Sequence, residues 1–241
     1  MNQPELVPWQ YIFGRGLTIF IVLNLYLFFE EGIAFYKNYM KIGISGLIGG
    51  IGLGIAMISF IYSITNTSAA ITLLCLAAMP FFTALLGFLF LRERISLNVW
   101  IAIILATIGI IIIAIGNTGK ASLLGFVFGM TSSIGFSIFS VTLRWRKETP
   151  KFTTVALSGL FCFVIASIFI LSKDQVFFST SYNGTLFSLH GVLVCFGLIL
   201  YSIGSKAIPA AELTLLSLTE VIGGIFWVWL PIFGINEVPS T

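Results

Sequence analysis

The hydrophobic residues of this chain come in long stretches, and most polar ones are confined to the short turns between them. A helix crossing the ~30 Å hydrocarbon core of a bilayer needs about 20 mainly apolar residues. Read with that window, the chain predicts eight spans, at 10–28, 42–64, 69–91, 97–115, 123–143, 152–171, 187–204 and 207–230. Turns such as TNTS at 65–68 and RERIS at 92–96 punctuate them. Membrane barrel strands are excluded, because they run only about ten residues and alternate in polarity. The expected fold is an all-α integral membrane bundle of about eight transmembrane helices.

Composition strengthens that reading. The 241 residues are 58% hydrophobic and 9% charged, against roughly a quarter charged in a soluble domain. A mean hydropathy of +1.08 leaves too little polar surface to face water on all sides. The three cysteines, Cys75, Cys162 and Cys195, are isolated in apolar stretches, so neither a metal site nor a disulfide framework is read from them. MNQPELVPWQ at the start lacks the basic region of a secretory signal.

Charge sorts the loops into two sets. One holds Lys37, Lys41, Arg92, Arg94, Arg144, Arg146, Lys147, Lys151 and Lys206; the other holds Lys120 and Lys173. Arg15 falls inside the first span. The cation excess marks the cytoplasmic side of a membrane protein, so the first set is expected there. Eight spans would then leave both ends of the chain outside. A helix ahead of Met1 is the simplest remedy, and the chain ends on GINEVPST directly after a span. The expectation is a fragment lacking one helix at each end.

The sequence also matches itself. FIYSITNTSAAITLL at 60–74 and LILYSIGSKAIPAAELTLL at 198–216 share YSI, a short polar turn and an AA–TLL continuation, about 140 residues apart. By the loop charges, the first turn lies outside and the second, with Lys206, inside. Such an inverted pair is how many solute carriers are built.

The run SAAITLLCLAAMPFFTALLGFLFLRERIS (68–96), followed by ATIGIIIIAIG (106–116), resembles the EamA-type members of the drug/metabolite transporter superfamily. Pro80, Gly87, Glu93 and Arg94 occupy the positions of that pattern. PAAELTLLSLTEVIGGIFWVWLPIFGINE (209–237) is similar to the equivalent helix of the second repeat, with its mid-membrane Glu, and QYIFGRG (10–16) to the Arg-bearing start of the second helix. The resemblance implies ten helices in two five-helix repeats with both termini cytoplasmic. This chain would supply helices two to nine, residues 1–116 from the first repeat and 122–241 from the second. Val221 departs from the usual Pro, and 227–237 looks longer than usual.

Glu220 is the leading site candidate. It sits near the middle of its span, where an ionised carboxylate costs at least ~2.5–3.5 kcal/mol and therefore needs a partner or water. Ser217, Gly223 and Gly224 fall on the same helical stripe, with Thr214 earlier on that helix. A substrate or proton site is one reading; a protonated structural Glu is the other. Glu212 reads equally as an acid complementing its helix N-terminus. Arg15 is expected either to pair with an interior carboxylate or to snorkel outward. Pro80 removes a donor mid-span and frees the Leu76 carbonyl, giving a packing kink or a hinge. Tyr62 and Tyr201 occupy matching positions as interfacial anchors or pathway gates. Thr131, Ser132, Ser133 and Ser137 make the fifth span hydroxyl-rich, most of them expected to bond to their own helix or to neighbours. Gly46, Gly50 and Gly54 recur every four residues and point to close helix packing. Asn66 and Asn183 open glycosylation patterns that matter only in a eukaryotic secretory setting.

Enzyme chemistry finds little purchase. No HExxH or GxSxG occurs, the one histidine is His190, and the sole aspartate, Asp174, is in a loop. No cofactor or nucleic-acid signature is present. The expected function is alternating-access movement of a small solute, with proton coupling as an option. A passive channel or pore is the alternative, and it lacks a ring of charges or a carbonyl filter. Expected partners are a solute of unread identity and the lipid bilayer, with a homodimer left open. The expected location is a cell membrane, multi-pass, of the bacterial inner-membrane kind.

Overall fold

A computed structural model of the chain describes residues 8–93, 96–116, 122–146 and 148–229. All regular structure among them is helical, with α1 Pro8–Glu31, α2 Tyr36–Lys41, α3 Gly43–Asn66, α4 Ala69–Leu76, α5 Met79–Leu86, α6 Leu97–Gly116, α7 Leu123–Trp145, α8 Lys151–Ser172, α9 Ser181–Gly204 and α10 Ala210–Trp229. Six helical stretches among the described residues are long and apolar enough to cross a bilayer. The protein is an all-α integral membrane protein.

Local chemistry sets the helix starts. Ser68, Ser122 and Thr180 each stand just ahead of a helix in extended backbone, and their hydroxyls accept from the backbone N–H groups of Ile71, Gly125 and Asn183. These caps satisfy donors that the first helical turn leaves open. Pro150 and Pro209 stand just before α8 and α10, where a missing N–H costs nothing. The span predicted at 207–230 accordingly begins at Ala210, after Pro209.

α9 starts at Ser181, ahead of the expected 187, and two further elements differ in kind from the expected spans. The first continues past 28 through a short 3-10 turn, Gly32–Phe35, into α2. The third, expected as one helix over 69–91, is broken at Ala77 and Ala78, and Pro80 lies in the first turn of α5. α5 then passes into a π turn, Gly87–Leu91, which Arg92 ends in the left-handed region at φ 54°. A proline in the first turn of α5 cannot donate back across the break, which is why the helix restarts there.

The break is bridged from α7. Ser133 Oγ donates to the Cys75 carbonyl, and Ser137 Oγ donates to the Met79 carbonyl at 3.1 Å and to its own Ser133 carbonyl at 2.8 Å. Ser132 Oγ donates to the Ala56 carbonyl of α3 at 2.9 Å, whereas Thr131 turns back to Val127. Hydroxyls satisfying interrupted backbone are the usual way a membrane helix tolerates a break.

α3 packs on α7 and α8, α1 on α8 and α9, and α5 on α7 and α10. Two glycine crossings bring backbones together. A Cβ at Gly16 would stand 2.9 Å from the Gly159 carbonyl oxygen and from the Phe163 nitrogen; one at Gly159 would stand 2.8 Å from the Gly16 oxygen and 2.9 Å from the Phe20 nitrogen. The α1–α8 contact is thus reciprocal. At the α3–α7 crossing, a Cβ on Gly135 would meet the Gly52 oxygen at 2.6 Å. Ile12, Ile19, Leu23, Leu53, Phe139 and Val155 fill the core around these crossings.

The ends of the bundle are chemically distinct. At one end Arg144 of α7 meets Glu93 and the 205–208 turn, and Lys151 meets Ser205. Ser45, near the start of α3, bonds Thr149 at 2.6 Å at the same end. At the other end Gln10 donates to the Val176 carbonyl at 2.6 Å and accepts from Ser179 at 2.8 Å. The 66–67 turn packs there on Gly125. Of the described basic loop residues, Arg92, Arg144, Arg146, Lys151 and Lys206 therefore gather at the Arg144 end, whereas Lys173, just after α8, lies toward the other.

Candidate functional site: a cavity between α1, α3, α7, α9 and α10

A cavity of about 610 Å³ lies among α1, α3, the α4–α5 break, α7, α9 and α10. Its wall is mostly apolar, with Leu53, Ala56, Met57 and Phe60 from α3, Leu76 and Met79 from the break, and Phe136 from α7. Polar groups are few: Arg15, Ser132, His190, Tyr201, Ser217 and Glu220. Few polar groups in an apolar hollow are the usual make-up of a small-molecule site.

α10 contributes a stripe. Leu213, Leu216, Ser217 and Glu220 recur at three- and four-residue spacing and line the cavity, as residues on one helical face must. Ser217 Oγ donates to its own Thr214 carbonyl at 2.7 Å. Glu220 is the eleventh of the twenty residues of α10, about the middle of its length at 1.5 Å per residue. Its side chain is exposed, as are Leu193, Leu200 and Leu216, so the cavity opens between α9 and α10.

Arg15 enters from the other side. It is 3% exposed, and its Nη2 donates to the Met57 carbonyl of α3 at 2.7 Å. Its guanidinium carbon lies 5.7 Å from the centre of the Tyr11 ring. No carboxylate comes within 4 Å of it among the described residues, where the ion pair is Arg144 with Glu93. Arg15 and Glu220 thus share a cavity without touching.

Tyr201 closes the wall toward the basic end. Its hydroxyl shares a 2.6 Å hydrogen bond with Ser140, and its ring packs on Phe136 and Phe139. Beyond it, Arg144 Nε donates to Glu93 Oε1 at 2.6 Å, and Nη1 donates to the Ile208 carbonyl at 2.8 Å. These bonds tie the end of the π turn, α7 and the α9–α10 turn together. A smaller hollow of about 300 Å³, lined by Arg144, Lys151, Ser205 and Lys206 with Leu143, sits at that end.

Other predicted residues fall elsewhere. Tyr62 is outside the cavity wall and packs on Trp9 and Phe128. Thr214 is fully buried and bonds back to Ala210 and Ala211 of its own helix. Gly50 meets Leu157 of α8, with 3.1 Å from an added Cβ to Leu157 Cβ; Gly46 meets Thr149 and Thr154; Gly54 meets Phe161. Among the described residues, nothing lies within 4 Å of a Cβ added at Gly223. The surroundings of Gly224 and Val221 lie outside the described residues, as do Arg94, Lys120, Lys147 and 230–237.

Sequence reasoning passed over His190 as a cavity residue. It lines the wall and is hydrogen-bonded through Nδ1 to the Tyr11 hydroxyl of α1. Tyr11 and His190 are 179 residues apart, so no local spacing pairs them. Met57 and Phe136 were equally silent, being apolar residues in apolar helices.

Against known proteins, residues 2–115 match the EamA-like transporter family. Slightly less than half of the chain is thus similar to that family. This segment holds Arg15, the α3 wall and the α4–α5 break. Over 176 residues, 72% of the chain is 26% identical to an "Uncharacterized transporter" of Helicobacter pylori strain J99, spanning 58% of that relative's length. Over 229 residues, 91% of the chain is 23% identical to an "Uncharacterized transporter" of Helicobacter pylori strain 26695, spanning 76% of it. A 77-residue stretch is 36% identical to 10% of the DNA translocase SpoIIIE of Bacillus subtilis. Beyond residue 115, the chain keeps the likeness to the second transporter through most of its length.

Proposed function

We propose that this multi-pass membrane protein is a carrier that moves a small solute by alternating access through the α1–α3–α7–α9–α10 cavity. The observation that carries the reading is the cavity itself. Elements from both halves of the chain enclose it, and its apolar wall holds one guanidinium and one carboxylate that do not pair.

Several features support it. The transporter names of the two Helicobacter pylori relatives agree with it. The reciprocal Gly16–Gly159 contact fits a two-fold relation between α1 and α8, since each glycine meets the other's carbonyl and the nitrogen four residues on. Its spacing is close to that of the YSI match, about 140 residues, which supports 1–116 and 122–241 as inverted repeats. Rocking of two such repeats about a shared cavity exposes it to each face in turn. Tyr201 with Ser140, and Arg144 with Glu93, would then be the contacts that open and close on the basic side, which faces the cytoplasm by the positive-inside rule. The membrane is a bacterial cell membrane on this reading.

Glu220 is proposed to take and release a proton as the cavity changes sides. A carboxylate at that depth is held either neutral or paired, so changing its state biases which side is open. Proteoliposomes loaded with a cell metabolite extract test this, with an inward acid gradient and mass spectrometry of released solutes. Wild-type protein should release a defined solute with saturating, gradient-dependent kinetics. Glu220→Gln should lose the gradient dependence. Gradient-dependent flux unchanged in Glu220→Gln would overturn the assignment, and ohmic, non-saturating flux would replace the carrier with a channel.

A further inference from the structure

Among the described residues, Arg15 is a buried cation without a counter-charge. A guanidinium does not shed its proton in a protein, so burial cannot neutralise it, and a buried charge left unpaired is strongly unfavourable. Among the described residues its hydrogen bond is to the Met57 carbonyl, which ties α1 to α3. Anchoring of that kind needs one donor, and guanidinium offers five in a planar fork. Nε has no hydrogen-bond partner, and no carboxylate lies within 4 Å among the described residues. The residue nonetheless lines the cavity.

We infer that the cavity takes an organic monoanion, whose carboxylate docks on Arg15 and whose apolar body lies against Met57, Phe60, Phe136 and Leu198. Each part of that description has its own ground. The anionic head answers the unpaired guanidinium, because Arg matches a planar carboxylate through paired N–H bonds. A single charge is set by the wall, where Arg15 is the one cation among the described lining residues; a phosphate dianion would be left half-compensated. The apolar body is set by the four side chains named. Volume allows it, since about 610 Å³ is within the range of small-molecule pockets.

His190 is a further polar group of the wall. Its Nδ1 is engaged by the Tyr11 hydroxyl, which leaves Nε2 as the ring nitrogen without that bond. Glu220 is across the cavity on α10 and does not reach Arg15, leaving the guanidinium to the solute.

This inference rests on the reading of the cavity as the solute site, and a binding measurement separates the two. Purified protein in nanodiscs is titrated with 3-phenylpropionate, 3-phenylpropylamine and phenyl phosphate, following thermal stability. The carboxylate should stabilise saturably, the isosteric amine should not, and the phosphate should bind more weakly than the carboxylate. Arg15→Gln should weaken carboxylate binding about 30-fold or more, the loss expected when one partner of a buried charge pair is removed. Arg15→Lys should fall between. The wild-type comparison stands even if Arg15→Gln folds poorly. Binding of the amine as tight as the carboxylate, no saturable binding of the carboxylate, or wild-type affinity in a folded Arg15→Gln would each overturn the inference. Carboxylate binding without saturable flux would instead retire the carrier reading and leave this one standing.

Discussion

At the scale of single residues, the bundle is held together as much by absent side chains as by present ones. Gly16 and Gly159 let α1 and α8 approach until an added Cβ would stand 2.8–2.9 Å from backbone on either side. Contacts that short demand that a helix move, and overpacking of this kind costs about 1–3 kcal/mol. Gly16→Val should therefore lower the thermal midpoint of the detergent-solubilised protein by several degrees. Gly223→Ala meets no described atom within 4 Å and should leave the midpoint unchanged or slightly raised, since Ala favours helix by up to ~1 kcal/mol. Equal effects from both would show that the crossing is not as tight as described. The glycine stripe of α3 was legible as a packing signal, but its partner was not. Nothing local in GISGLIGGIGLG names Leu157 or Phe161, which lie over a hundred residues further along the chain.

At the scale of elements, long apolar runs made the spans readable, because bilayer thickness leaves little freedom in helix length. Their interruptions were harder. Pro80 announced a bend in the third span, yet the break falls at Ala77–Ala78, and it is Ser133 and Ser137 that bridge it. Those serines were visible as an unusual hydroxyl cluster without a target, for the target is a backbone interruption 58 residues away. The double variant Ser133→Ala, Ser137→Ala should destabilise the protein by about 0.6–1.7 kcal/mol per bond, the range for hydrogen bonds between membrane helices. In a Pro80→Ala background, where α4 and α5 can rejoin through their own backbone bonds, the same double variant should cost less. A double-mutant cycle on unfolding in mixed micelles measures that coupling; additive effects would contradict the bridging role. Charges told a similar story. Arg144 read as a member of the basic loop set and Glu93 as a position of the family-like pattern, and their 2.6 Å ion pair across 51 positions could be seen only in the fold. Arg15 was recognisable as an oddity in its span. That it has no carboxylate beside it is a fact of packing.

At the scale of the whole molecule, the basic loops meet at one end, and one apolar cavity carries Arg15 and Glu220 on opposite walls. A carrier needs that cavity to open to one face at a time. The Glu93–Arg144 pair, tied to the 205–208 turn, is on the proposed carrier reading the contact on the basic side whose release opens it. The measurement that tests this most directly is cysteine accessibility. Ser217→Cys is placed in a chain whose buried Cys75, Cys162 and Cys195 are changed to Ala. A membrane-impermeant maleimide is then applied from each face of sealed vesicles. The account predicts labelling from both faces. Adding Glu93→Cys and Arg144→Cys and joining them with a short bifunctional crosslinker before the maleimide should abolish labelling from the basic face alone. Labelling from the basic face that persists with the crosslink in place would contradict the account.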